Sequence, residues 1–457
     1  MNISTLTKEQ LKVSSYNVMF STNHENIIYN TRTGALLSLD NKTSDAVLDI
    51  LNSLEGRADY IETLLQNGFV IKQDFDELES IIKIHNNYMN DEENIDITIL
   101  PSESCNLSCS YCFIYTQRDI FMDDITYDNI LKYIIKQVKP FGNKTVNINW
   151  YGGEPTLSYK KIINFMNNLY EIKKEYNLKI NSSIVTNGVL LSRDVFIKLY
   201  NAGIRSFQVT IDGDKETHDY FRKTKDGEPT FEIIFANLQQ ISELDSSYSF
   251  NFSIRANFLD DAEESMHGLL STFNEKFNSD KRFTIYFRPI YNFNTDRKDI
   301  KAIENSICNL ETGNKVQLDL EYAARLSQSD SNQMLDFIPK PIYSWCNVVK
   351  KNFHIIGADG TIFACDTLLV DKEDGIGFLS NEGDIVLNQN AKKWKQNFLV
   401  EEDNLKDECL TCTILPLCMG GCRRNWIMDK KKVCSLDMKV LERIVKRYVL
   451  ENDMITG

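Results

Sequence analysis

The sequence predicts an α/β protein with a parallel-strand middle, on three observations. Six strand-like runs follow one another at residues 95–100, 146–151, 180–186, 206–211, 250–258 and 283–289. Amphipathic stretches such as 125–138 and 191–202 separate them; regular strand–helix alternation argues for parallel strands joined by helical crossovers. The eleven cysteines are segregated, with three at 105–112, one at 308 and seven from 346 to 434.

At 457 residues the chain has room for about three domains. It is 42% hydrophobic and 25% charged, an ordinary globular balance. No run of 18 uninterrupted apolar residues is present, so no membrane partner is expected. The start lacks a basic-then-apolar signal segment, and a cytoplasmic protein is expected. In that compartment the cysteines are metal ligands before they are disulfides. A net charge of −14, from 51 basic and 65 acidic residues, argues against nucleic acid as the main partner.

The amino-terminal region opens with a hairpin pattern. Residues 16–21 and 26–29 predict strands, 30–34 a turn around Gly34, and 35–39 the strand that returns. Asp40 or Asn41 is a candidate cap for a helix carrying Ala46, Val47, Ile50 and Leu51. A second helix is expected over 59–66, a short strand over 68–71, a helix over 76–88, and then an acidic linker to Asn94.

Cys105, Cys109 and Cys112 carry the chemistry. Their C-x3-C-x2-C spacing follows directly on the first strand of the middle region. A 4Fe–4S cube normally takes four thiolates; three in one loop leave an iron open to a small molecule. Zinc is the competing occupant, but a zinc site is commonly closed by a fourth Cys or His, and residues 113–116 supply none. The loop, with Tyr111 at the aromatic position, resembles the signature of the radical SAM enzymes. That resemblance implies a cluster whose fourth iron holds the amino and carboxylate groups of S-adenosylmethionine, in a partial (β/α)6 barrel with its chemistry at the carboxyl ends of the strands.

Further motifs fall at such ends. Gly152, Gly153, Glu154 and Pro155 follow the second strand. Glycines let backbone approach a ligand closely, and the run resembles the family's GGEP motif, which holds the methionine amino group. Thr186 and Asn187, before Gly188, resemble its TNG segment; an Asn-Gly turn is the plain alternative. Gln208, Thr210 and Asp212 alternate to one face of the fourth strand, where inward-facing polar groups need partners. Arg255 and Asn257 share a face of the fifth strand and look like the family's ribose- and carboxylate-binding positions. His218 and Arg222, four apart, share a helix face if that segment is helical; an exposed polar helix start is equally open. Arg288 reaches the barrel mouth or serves as an ion-pair partner.

Towards the carboxyl end, thirteen residues separate Cys346 from Gly360 and four separate Gly360 from Cys365. Cys409-x2-Cys412-x5-Cys418-x3-Cys422 follows, then eleven residues to Cys434. This spacing resembles the SPASM domain of radical SAM maturases. The resemblance implies two auxiliary 4Fe–4S clusters: one on Cys409, Cys412, Cys418 and Cys434, the nearer on Cys346, Cys365 and Cys422. The nearer cluster is a thiol short, and either Cys308 or a substrate thiolate completes it. Asp366 matches the residue that acts as base in anaerobic sulfatase-maturating relatives.

The hairpin-and-helix start resembles the winged-helix-like recognition domains of ribosomal-peptide maturases, where a leader peptide adds a strand to an exposed edge. The expected organisation is therefore a recognition domain over 1–92, the barrel over 93–300, a helical connection over 301–340 and a SPASM domain over 341–457. The resemblance implies a maturase with three 4Fe–4S clusters and S-adenosylmethionine. It acts on a precursor peptide with an amino-terminal leader, forms a thioether or carbon–carbon crosslink, and takes electrons from flavodoxin or ferredoxin. Oxidation of a sulfatase Cys or Ser to formylglycine is the alternative within the family, and a zinc-binding peptide adaptor the alternative outside it.

Overall fold

A computed structural model of the chain describes residues 7–22, 25–112, 114, 118–140, 142–291, 306–327, 338–369, 372–400, 407–428, 434 and 436–456. The chain forms two compact units, one of Met1–Asn90, Asp330–Lys350 and Gln396–Gly457, the other of Asp91–Ser329 and Lys351–Lys395. The 341–457 segment thus contributes residues to both.

The first unit begins with β1 (Leu11–Val13), β2 (Asn17–Ser21), β3 (Asn26–Asn30) and β4 (Leu36–Leu39). Then come α1 (Asn41–Ser53), α2 (Ala58–Gln66), β5 (Val70–Lys72) and α3 (Glu77–Met89). β2, β3 and β4 form an antiparallel sheet in that order, the hairpin pattern read from the sequence. Asp40 caps α1, accepting from the Thr43 N–H at 2.7 Å. Asp76 caps α3 through the Glu79 N–H at 2.9 Å. β1, too short to show a period, pairs with β5. Successive side chains on β3 serve opposite faces: Ile28 packs with Leu39, Val47, Ile50, Leu64 and Phe69, while Ile27 and Tyr29 pack with Ile414, Leu417, Leu441 and Val445.

The second unit carries β6 (Asn94–Ser102), α4 (Asp124–Val138), β7 (Thr145–Gly152), α5 (Tyr159–Tyr176), β8 (Lys179–Thr186), α6 (Arg193–Asn201) and β9 (Ser206–Thr210). α7 (Lys215–Phe221), α8 (Phe231–Ser242), β10 (Asn251–Phe258), α9 (Glu263–Phe277), β11 (Phe283–Pro289) and α10 (Leu310–Ser327) continue it. β6 to β11 pair in sequence order and all in parallel, as the alternation predicts and as the partial (β/α)6 barrel implied by the resemblance requires. The sheet continues past β6. β12 (Phe353–Ile356) pairs parallel to it, and β13 (Thr361–Phe363), β14 (Gly377–Leu379) and β15 (Ile385–Leu387) follow antiparallel.

On β7, Val146, Ile148 and Trp150 are buried, while Asn147, Asn149 and Tyr151 alternate with them and keep some exposure. That other face is a polar ladder. Asn147 donates to Asp96 at 2.7 Å, Asn181 to Asn147 at 2.8 Å, and Ser183 to Asn149 at 2.9 Å. A packed barrel centre would be apolar; a polar one has partners to offer.

In the first unit, a closing helix, α11 (Met438–Thr456), lays Leu441, Val445 and Val449 on the hairpin core. No helix among the described residues is long and apolar enough to cross a membrane.

Candidate active site

A cavity of about 160 Å³ opens in the barrel unit. Cys105, Cys109 and Cys112 line it, together with Gly152, Gly153, Glu154, Thr186, Asn187, Gln208, Arg222, Arg255 and Asn257. Residues from β7, β8, β9 and β10 and their following loops therefore converge with the cysteine loop. Pro155 and Asp212 do not line the cavity. Pro155 starts a buried 3-10 turn, and Asp212, 1% exposed, stands behind the wall.

The two glycines do something the sequence reading did not anticipate: they meet backbone. A Cβ on Gly152 would lie 2.4 Å from the Ser102 carbonyl oxygen, and one on Gly153 2.3 Å from that of Ser104. The Gly153 N–H donates to Ser102 at 3.0 Å and the Glu154 N–H to Ser104 at 2.9 Å. The glycines stitch the end of β7 to the chain entering the cysteine loop.

Glu154 takes four donors, three of them on one oxygen. Its Oε1 accepts from Thr156 N at 2.9 Å, from the Thr156 hydroxyl, and from Thr186 Oγ1 at 2.5 Å; its Oε2 accepts from Asn187 N at 2.7 Å. Burial pushes its carboxyl up, against the pull of these donors. Oε2, with one donor, keeps capacity for an ammonium. Asn187 extends the chain of contacts: its Nδ2 donates to Asn106 at 2.8 Å and lies 3.8 Å from the Cys105 sulfur, which also faces the Leu107 N–H at 3.4 Å. Behind Cys112 lies an apolar cluster of Leu100, Ile114, Ile355 and Phe363, of which Ile114 lines the cavity.

Burial pushes the Cys109 thiol up to about 11, and Arg222 is the strongest pull in the other direction. Arg222 Nη1 donates to the Tyr111 hydroxyl at 2.7 Å, and that hydroxyl donates to Asp212. Asn257 donates to Asp212 Oδ1 from both its N–H, at 3.0 Å, and its Nδ2, at 3.1 Å. Arg255 Nε donates to Asn257 at 2.9 Å, and Gln208 accepts from Tyr286 at 2.6 Å. The sequence marks the members of this network separately, Gln208 and Asp212 on one strand face, Arg255 and Asn257 on another, Arg222 by its spacing from His218 and Tyr111 as an aromatic, but not the contacts among them. Arg288 is ion-paired to Glu321 at 2.7 Å and does not line the cavity.

Asp366, exposed, begins a 3-10 turn; the Cys365 sulfur lies 3.6 Å from its carboxylate. Cys365 belongs to the barrel unit, Cys346 and Cys422 to the other. Cys409, Cys412, Cys418 and Cys434 all belong to the first unit. There burial pushes the Cys418 thiol up to about 11, with Cys412, Cys409 and Cys434 adding to the rise. Cys308 is buried, its thiol donating to the Phe258 carbonyl at 3.6 Å.

Among the described residues no three Cys, His, Asp or Glu side chains converge to hold a single metal ion. A four-iron cube takes its thiolates at separate corners, and three thiols around a cavity with N–H donors at one sulfur fit such a group. Residues 99–266 match the model of the Radical SAM superfamily, and the chain is an enzyme built on a radical SAM domain. That domain implies a 4Fe–4S cluster and S-adenosylmethionine as cofactors.

The chain is 26% identical over 375 residues to a cysteine-type anaerobic sulfatase-maturating enzyme of Clostridium perfringens, covering 78% of this chain and 95% of the relative. It is 22% identical over 488 residues to the radical SAM cyclopropyl synthase TigE of Paramaledivibacter caminithermalis, covering 97% of each. Among solved structures, anSMEcpe with bound AdoMet and Cp18Cys peptide matches 79% of this chain and 98% of its own, at TM-score 0.57 and 21% identity. Streptococcus suis SuiB bound to its precursor peptide SuiA matches 92% and 97%, at TM-score 0.50 and 16% identity. At these identities the structures speak for the fold.

Proposed function

We propose that this enzyme is a peptide maturase that abstracts hydrogen from a ribosomally made precursor and leaves a thioether or carbon–carbon crosslink. What supports it above all is likeness running almost end to end, 97% of both chains with TigE, so that it takes in the amino-terminal sheet as well as the barrel. In this reading Cys105, Cys109 and Cys112 hold the cluster. Glu154 Oε2 and the Gly152–Gly153 backbone receive the amino group of S-adenosylmethionine, and Thr186 and Asn187 hold Glu154 in place. Arg255, Asn257 and Gln208 orient the ribose and carboxylate. Asp212 acts one layer back, through Asn257. The bound cofactors supply a 5′-deoxyadenosyl radical able to take a hydrogen atom from an unactivated carbon. Ile114, backed by the apolar cluster behind Cys112, keeps water from that side of the cavity.

Cys409, Cys412, Cys418 and Cys434 hold one auxiliary cluster. The sheet of β2, β3 and β4 offers an edge to a leader peptide, and flavodoxin or ferredoxin supplies electrons. Formylglycine formation remains the second reading, favoured by the sulfatase-maturating relative and by Asp366 beside Cys365, where it would act as base.

The test is anaerobic incubation of the reconstituted protein with S-adenosylmethionine, reductant and the peptide encoded beside the gene. A mass loss of two hydrogens per crosslink, from protein holding about ten to twelve irons, is the expected result. A sulfatase peptide turned over in its place selects the second reading, and a colourless zinc protein sinks both.

A further inference from the structure

Arg222 is a buried arginine whose charge is only partly matched. It is 8% exposed, just past the end of α7, and lines the same cavity as Cys109. A buried guanidinium needs a close carboxylate. The nearest, Asp212, stands 3.6 Å away, beyond hydrogen-bond reach, with its oxygens taken by Tyr111 and Asn257. Nη1 is spent on a neutral phenol, and Nε has no hydrogen-bond partner among the described residues. Burial works against the charge, and the guanidinium keeps it on the wall that it shares with Cys109.

The loop after α7 cannot carry this charge away. Leu107 and Thr224 form an antiparallel bridge, the Ser108 N–H donates to the Lys223 carbonyl at 2.9 Å, and the Lys225 N–H to that of Asn106 at 3.2 Å. His218 adds no second charge. Its Nδ1 accepts from the Asp212 N–H at 3.2 Å, while Nε2 meets, at 3.1 Å, a Thr230 hydroxyl that itself donates to the Arg222 carbonyl. Nε2 is therefore the donor, and the ring is neutral.

We propose that Arg222 sets the reduction potential of the cluster borne by Cys105, Cys109 and Cys112, through the positive charge it holds beside Cys109, with Tyr111 as its brace. An added electron makes the cluster more negative, so a fixed cation nearby favours the reduced form. In a buried site that attraction is weakly screened. Arginine suits the task because it cannot shed its proton to escape burial. Arg222 is thus a positioning residue, acting on the cluster and not on the substrate. The proposal rests on the assignment of the cluster to these three thiols.

The experiment is a dithionite titration with mediators on full-length, anaerobically loaded wild type, R222Q and R222K. It follows the paramagnetic signal that changes on adding S-adenosylmethionine, which separates this cluster from any other. At the wild-type midpoint, R222Q should show a roughly tenfold lower ratio of reduced to oxidised cluster, a shift of about 59 mV for one electron. Its iron content should be unchanged, and R222K should stay within about threefold of wild type. R222Q with full iron and a wild-type midpoint overturns the proposal. If R222Q fails to hold the cluster, R222K decides: loaded with a near-wild-type midpoint it supports the role of charge, and empty it overturns the proposal in favour of packing. Wild type without any signal responsive to S-adenosylmethionine removes the cluster assignment and the proposal together. An unchanged peptide mass strikes only the maturase reading.

Discussion

At Gly153 there is no room for a side chain, because a Cβ would meet the Ser104 carbonyl oxygen at 2.3 Å and the Ser104 carbonyl carbon at 2.6 Å. The obstacle is backbone, so it cannot swing aside as a side-chain tip would. Gly153→Ala should push the cysteine loop away from β7 and destabilise the unit by about 1–3 kcal/mol. Iron per chain should fall with the melting temperature; full iron at an unchanged melting temperature would mean that the loop adapts freely. The sequence announced the chemistry of this position but not its neighbour. Besides lining the cavity, the glycines admit a strand end some fifty residues back. Glu154 teaches the same lesson: its four donors come from Thr156, Thr186 and Asn187, and only their nearness in the fold explains why the motifs at 152–155 and 186–188 belong together.

Among the elements, α3 gathers the segments that flank the amino-terminal strands through the side chain of Glu77. Glu77, 7% exposed, accepts from Ser14 Oγ at 2.6 Å, Ser15 N at 2.9 Å, Ser15 Oγ at 2.8 Å and Arg32 Nε at 2.9 Å. Removing one partner of a buried charge pair strands the other. Glu77→Ala should cost about 3 kcal/mol, read as a lower denaturation midpoint and earlier proteolysis of the amino-terminal region. Glu77→Gln, which keeps an acceptor oxygen, should cost less. Elements long enough to show a period were legible: the barrel strands and α4 fall within about two residues of their expected bounds. β12 to β15 were not, because three or four residues carry no readable alternation. Their pairing past β6 is a property of the sheet edge, which the local sequence does not describe.

For the molecule as a whole, acid should be destabilising through a buried histidine. His354, 4% exposed on β12, meets the Tyr133 ring edge-on at 5.4 Å, and burial holds its pKa down at about 3. In the unfolded chain a histidine titrates near ~6.5, so between about 3 and ~6.5 the unfolded state binds the extra proton. The stability from keeping His354 neutral is complete above ~6.5 and drains away as pH falls towards 3, on the order of 3–5 kcal/mol in all. Denaturation midpoints at pH 7.5 and 5 should diverge in the wild type and draw together in His354→Leu; equal divergence in both would assign the effect elsewhere. By itself the sequence determined the cysteine spacings, the order of strands and helices and the polar inner positions, because each is written in short-range periodicity or in the ligand number a cluster demands. Only the tertiary structure decided that Tyr111 meets Arg222 and Asp212 across about a hundred residues, that the glycines meet Ser102 and Ser104, and that residues 351–395 extend the barrel sheet. Such contacts are chosen by which elements can bury their faces together, and no local pattern encodes that choice.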